Sequence, residues 1–175
     1  MITSIAAFIR WFEGVNRRAM RDIGGLPQEA EGWRPTLGEG EKAWSIGEIV
    51  GHMSVSRLFF LSTFMGPEWS GAALDMDTTA RASWTDALQR SCEIVTETLA
   101  TAPDEYITRK IPMLDGSGRE MSGWRPLMLM AEHDIHHRSQ IDTYAGMNGW
   151  EVSQIFGRSA EQVGLGAEQA TQRQD

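Results

Sequence analysis

Four stretches of the chain repeat apolar residues at intervals of three and four, the period of a helix with one buried face. The first covers residues 3–23, where Ile5, Phe8, Ile9, Phe12, Val15, Ala19 and Ile23 line up and Gly24-Gly25 stops the run. The second opens at Ser45-Ile46-Gly47-Glu48, a capping box with Trp44 before the cap, and Gly66-Pro67 ends it. Its expected inward side carries Ile49, His52, Ser56, Phe59, Phe60 and Thr63. A third, capped by Thr78 or Thr79, shows Trp84, Leu88, Ser91, Val95 and Leu99, and Pro103 bars continuation. The fourth begins with Pro126 in its first turn and runs to Gly146 or Gly149, with Met130, His133, His137, Ile141 and Tyr144 on one face.

The connections are long. Residues 24–44 hold two prolines and two tryptophans and make an irregular link that can cover a site, with Trp33 as its anchor. Between Tyr106 and Ser122 the helical period is lost, and Asp115-Gly116-Ser117-Gly118 signals the turn of a short, irregular hairpin with Pro112 on an edge strand. A short C-terminal helix is expected within 153–172, with Ser159-Ala160-Glu161-Gln162 as its capping box. These elements predict an all-α four-helix bundle with long crossover connections, one domain over residues 1–165 and a frayed tail over 166–175.

Composition narrows the function classes. The 175 residues are 41% hydrophobic and 23% charged, which is globular and not disordered. A formal charge of -8 disfavours non-specific binding to nucleic acid or to an anionic membrane. The single Cys92 precludes an internal disulfide and is read as a small buried hydrophobe in a reducing, cytoplasmic protein. No stretch has the length and apolarity of a membrane span, and the N-terminus lacks a signal-peptide pattern. No Gly-rich phosphate loop, G-x-S-x-G elbow or C-x-x-C occurs.

The chemistry sits in the histidines, three of the four lying within Pro126–Ala145. His133 and His137 are one turn apart, the spacing at which two imidazoles reach one ion, and they interrupt an apolar stripe. His52, on a separate helix, supplies a third ligand. Three neutral imidazoles leave the full charge of a divalent ion in place, able to activate a bound nucleophile. His136 points about 100° away from His137 and is not expected to share the ion. Asp134, Arg138 and Glu48 flank the set as candidates for proton transfer or substrate contact, with structural roles weighing more heavily for each. Asn16 lies among the inward positions of the first helix, where it either reaches into a polar cavity or marks the boundary of the face.

Two runs, Trp44-Ser45-Ile46-Gly47-Glu48-Ile49-Val50-Gly51-His52 and His133-Asp134-Ile135-His136-His137-Arg138-Ser139-Gln140-Ile141, resemble the DinB-like superfamily, which includes YfiT-like and bacillithiol or mycothiol transferase-related proteins. The resemblance spans about residues 1–165 and places that family's three metal histidines on His52, His133 and His137. It implies one divalent ion (zinc or nickel first, iron or manganese after them), a homodimer, and transfer of a low-molecular-weight thiol to a small-molecule substrate. Hydrolysis by metal-bound water and a non-catalytic, metal-stabilised binding protein of the stress response are the alternatives. Ser139 stands where such sequences commonly have glycine.

Overall fold

The computed structural model describes residues 2–71, 74–113, 116–151, 154, 157–159 and 162–164. Four helices dominate: α1 (Ile5–Gly24), α2 (Ile46–Met65), α3 (Trp84–Ala100) and α4 (Trp124–Asn148). Ser4 caps α1 by accepting from the Ala7 amide, and the box predicted at Ser45 and Glu48 forms in full at the start of α2. Gly149, with φ of 69°, closes α4 in the left-handed conformation that a β-carbon would strain.

Each helix buries a stripe against two others. Helix α2 packs on α3 and α4, and α1 packs on the same two, so α1 and α2 face each other diagonally. Two apolar clusters fill the bundle. One joins the first half of α1 and α4 to the second half of α2 and α3, through Phe8, Phe12, Leu61, Val95 and Leu127. The other joins the opposite halves, through Ile23, Ile49, Met53, Leu88 and Ile141. That exchange of halves makes α1 and α4 parallel to each other and antiparallel to α2 and α3. The link between the parallel pair α2 and α3 must therefore traverse the length of the bundle, and the other two links must cross a diagonal. Long connections are a geometric necessity of this topology.

A buried polar layer lies between the two clusters. Arg57 of α2 holds Asp134 of α4 through Nε (3.0 Å) and NH2 (2.7 Å), and its NH1 donates to the Leu88 carbonyl (2.6 Å) and the Ser91 hydroxyl (2.9 Å) of α3. Both ends of this ion pair are fully buried. A second pairing brings Arg138 within 3.6 Å of Asp22 on α1. Asn16 of α1 is buried, with its amide donating to the Met20 sulfur (3.3 Å). Cys92 is buried as expected, and burial pushes its thiol up to about 11, far from reactive.

Several expectations need correction. Helix α3 starts at Trp84 after a short 3₁₀ turn (Arg81–Ser83), not at a threonine cap. Thr78 instead donates its hydroxyl to the Gly47 carbonyl (2.8 Å) and accepts the Trp84 indole N–H at its own carbonyl (2.9 Å). A β-carbon at Gly47 would collide with that Thr78 carbonyl, so the loop before α3 lies flat on α2 because Gly47 leaves room. The inward side of α2 is also rotated from the expected stripe. Ile46, Ile49, Val50, Met53, Arg57, Leu61 and Phe64 are buried, whereas Phe59 is 53% exposed and His52 lies on the flank. The expected stripe is displaced because Arg57, a charged residue, lies at the centre of the buried side.

The hairpin is present as two three-residue strands, β1 (Lys110–Pro112) and β2 (Glu120–Ser122), antiparallel with Ile111 opposite Met121. In the C-terminal segment the Ser159 hydroxyl accepts from the Gln162 amide (3.3 Å), and the Gln162 side chain accepts from the Ser159 amide (2.8 Å), as a capping box requires. The rest of the short helix expected there, and all of the predicted tail, fall outside the described residues. Among the described residues no helix is long and apolar enough to cross a membrane.

Candidate metal centre

His52 projects from the second turn of α2, and His133 and His137 from consecutive turns of α4, which packs beside it. The three rings converge. Their centroids are 4.8 Å (His52–His133), 4.9 Å (His52–His137) and 4.4 Å (His133–His137) apart. The Nε2 atoms of His52 and His133 face each other at 2.9 Å. Two nitrogens bound to one ion at about 2.0–2.1 Å lie about 2.9–3.4 Å apart, depending on the angle between them. His137 is fully buried at the centre of the α4 stripe, while His133 is half-buried and the His52 side chain is 34% exposed. The set therefore runs from the core to the surface, so a bound species would be reachable from solvent.

The hydrogen bonds fix how His137 presents itself. The side-chain amide of Gln140 donates through Nε2 to the Glu41 carbonyl (2.8 Å) and to the Tyr144 hydroxyl (2.9 Å), which in turn donates to the Lys42 carbonyl (3.2 Å). With its N–H groups so occupied, Gln140 turns Oε1 toward His137 Nδ1 at 3.0 Å, and Nδ1 carries the proton. His137 Nε2 is then a lone pair, buried and without a hydrogen-bond donor. It faces a carboxylate oxygen, Oε1 of Glu41, at 3.1 Å, and that oxygen lies 3.9 Å from His52 Nε2. A lone pair against a carboxylate is repulsive unless a proton or a metal ion lies between them, and the two further imidazoles converging there suit the metal. The donor set thus fits a divalent ion, with Gln140 in the orienting role that metal-bound imidazoles usually require.

Electrostatics disfavour the protonated forms of His133 and His52. Burial pushes His133 down to about 4, with His137 and His52 adding to the effect, and burial followed by His137 lowers His52. An unfolded chain protonates such a histidine near pH 6.5. Between about pH 6.5 and 4 the unfolded state accordingly binds the His133 proton and the folded state does not. Stability of the metal-free protein is predicted to be intact above pH 6.5 and to fall as the pH drops toward 4. Melting temperatures across this range test it, and His133→Gln should flatten the slope.

The other candidates lie elsewhere. Both oxygens of Asp134 are taken by Arg57, and Arg138 pairs with Asp22 and, at 3.9 Å, with Asp142. Glu48 accepts from the Ser45 amide and from Arg34, and the Ser45 bond holds its carboxyl below the usual range. His136 stands outside the trio, exposed, 4.9 Å ring to ring from His137, yet its ligand atom groups with those of Glu41 and His137. Ser139 is exposed. Glu41 itself was not singled out in the sequence, because it sits in an irregular loop where no period marks a side chain's direction.

That loop, residues 25–45, closes the end of the bundle above the site. Trp33 packs at a tilt against Tyr144 (5.0 Å) and edge to face against Trp150 (5.8 Å), the anchoring expected of it, and Trp44 lies 4.8 Å from His52. Between the loop and α4 opens a cavity of about 530 Å³, lined by Glu41, Lys42, His136, Ser139, Gln140, Thr143 and Tyr144. Every one of these side chains carries a polar group.

An imidazole trio converging from two helices in a bundle of this connectivity defines a candidate metalloprotein of the four-helix class. The chain belongs to the DinB family, whose profile matches residues 1–169. Its fold is similar to that of a DinB-like protein from Bacillus cereus, at 18% identity and TM-score 0.68, covering 88% of this chain and 99% of that one. A DinB-like protein from Bacillus subtilis matches at 20% identity and TM-score 0.61, over 85% and 96% of the two chains. YfiT from Bacillus subtilis, described as a probable metal-dependent hydrolase with an unusual four-helix bundle topology, matches at 16% identity and TM-score 0.59, over 84% and 89%. No curated protein matched the sequence.

Proposed function

We propose that this protein is a metal-dependent hydrolase of a small polar substrate, with His52, His133 and His137 holding one divalent ion. The observation that carries the reading is the buried, unprotonated His137 Nε2, aimed at the other two imidazoles and at a carboxylate. An ion held by these three imidazoles would supply Lewis-acid chemistry, activating water and polarising a substrate oxygen. The protein supplies the rest. Gln140 fixes the His137 tautomer, Glu41 offers a carboxylate able to accept a proton, and the polar cavity beside it admits a substrate with hydrogen-bonding groups.

Hydrolysis is preferred to thiol transfer for two reasons. A carboxylate beside the ion suits a nucleophile that must lose a proton, whereas a thiol is deprotonated outright by the metal. The description of YfiT as a probable metal-dependent hydrolase points the same way. Zinc and nickel suit a set of imidazoles best, with iron and manganese behind them. A purely structural ion is disfavoured by the half-exposed His52 and His133 and by the open cavity. The test is a screen of untagged, zinc- or nickel-loaded protein against amide, ester and C–N bond substrates, with low-molecular-weight thiols plus an electrophile in parallel. Metal-dependent hydrolysis lost in His133→Ala is expected. Turnover seen with a thiol only would move the assignment to transfer.

A further inference from the structure

We propose that the short 3₁₀ turn Gly40–Ala43 is a strap that delivers Glu41 to the ion as a fourth protein ligand, and that ion binding and docking of the strap on α4 are coupled. The proposal rests on the metal reading of the three histidines and adds to it a ligand from outside the helices. The strap touches α4 through its backbone. Gln140 donates to the Glu41 carbonyl and Tyr144 to the Lys42 carbonyl, at 2.8 and 3.2 Å. The same Gln140 side chain holds His137 Nδ1, so one amide sets both the imidazole and the strap that faces it.

The side chain of Glu41 then reaches inward. Its Oε1 lies 3.1 Å from His137 Nε2, a distance proper to two ligands of one ion, and 3.9 Å from His52 Nε2, a few tenths of an ångström beyond that range. No residue of the turn is buried, and the Glu41 side chain is 51% exposed. The apolar contacts that would hold such a turn unaided are thus lacking. Gly38 and Gly40, with φ of 114° and 56°, flank its start in a conformation that suits glycine and makes a hinge. Without a cation, Glu41 meets a lone pair and the strap is pushed off. With one, the carboxylate oxygen facing the imidazoles is held and the second oxygen is left to take a proton. Linkage requires the converse as well: whatever holds the strap down tightens the ion.

Calorimetric titration of zinc into chelator-treated, untagged protein, with amide hydrogen exchange over residues 38–44, tests this. The expected result is that zinc slows exchange across the turn in the wild type, and that Glu41→Gln weakens zinc binding by about tenfold or more. Tyr144→Phe keeps every ion-facing atom and removes one tether, so zinc binding should weaken several-fold and the slowing should shrink. Zinc affinity within twofold of wild type in Glu41→Gln, or exchange over the turn indifferent to zinc, would overturn the strap. If zinc binding is normal and abolished by His137→Ala while Glu41→Gln changes nothing, only the strap falls. If the wild type takes up no zinc, the histidine reading falls with it.

Discussion

Arg57→Met should destabilise the metal-free protein by about 3–5 kcal/mol, the usual cost of leaving one charge of a buried pair alone. The guanidinium is fully buried, donates to Asp134, Leu88 and Ser91 on two other helices, and lies 5.4 Å over the Phe12 ring of the remaining one. Its removal strands the Asp134 carboxylate between two apolar clusters, where water cannot reach it. For a domain of this size that loss lowers the melting temperature by roughly 6–20 °C. The double variant Arg57→Met, Asp134→Leu should recover most of the loss, because it removes both charges and fills the space. Urea unfolding of the two variants measures the difference. A loss in the single variant of less than about 1 kcal/mol would show that the layer is not organised as described.

The same layer bears on function. Asp134 adjoins His133 and lies one turn before His137, so the Arg57 clamp fixes the rotation of α4 that turns both imidazoles toward His52. Helix rotation controls the site, because a few degrees move an imidazole nitrogen out of ligand range. Arg57→Met is therefore expected to weaken metal binding as well as stability, through geometry alone.

His137→Ala is the second large effect. It removes the one imidazole whose tautomer is fixed and whose lone pair is buried, and it leaves Glu41 facing a void. Metal affinity should fall by more than the roughly 10–100-fold typical of groups that only orient a ligand. The fold should survive with some loss of stability, since the ring is fully buried but both apolar clusters keep all their own side chains. Calorimetry with circular dichroism separates the two outcomes. Unchanged affinity in a folded His137→Ala protein would remove the ion from this place.

The helices, their order and the i,i+4 histidine pair were legible because periodic burial writes itself into the sequence at fixed spacing. Ser45 and Glu48 were legible for the same reason, as a local motif that satisfies its own backbone. Arg57 was not, because a buried cation violates the pattern that marks a buried face and makes the true stripe of α2 look polar. Glu41 was not, because its position is set by hydrogen bonds from Gln140 and Tyr144, about 100 residues away in sequence. Nor could periodicity show that α2 and α3 run parallel, a consequence of which helix halves share each cluster. The sequence thus exposed the ligands that lie on helices, and the fold supplied the loop that faces them.

X-ray absorption spectroscopy at the metal edge, on untagged protein loaded with one equivalent of zinc or nickel, tests the central claim most directly. The structure predicts a single ion whose scattering carries three imidazoles and light oxygen donors, falling to two imidazoles in His52→Ala. An ion bound by fewer than two imidazoles, or a wild-type protein that retains no metal after gel filtration, would contradict it.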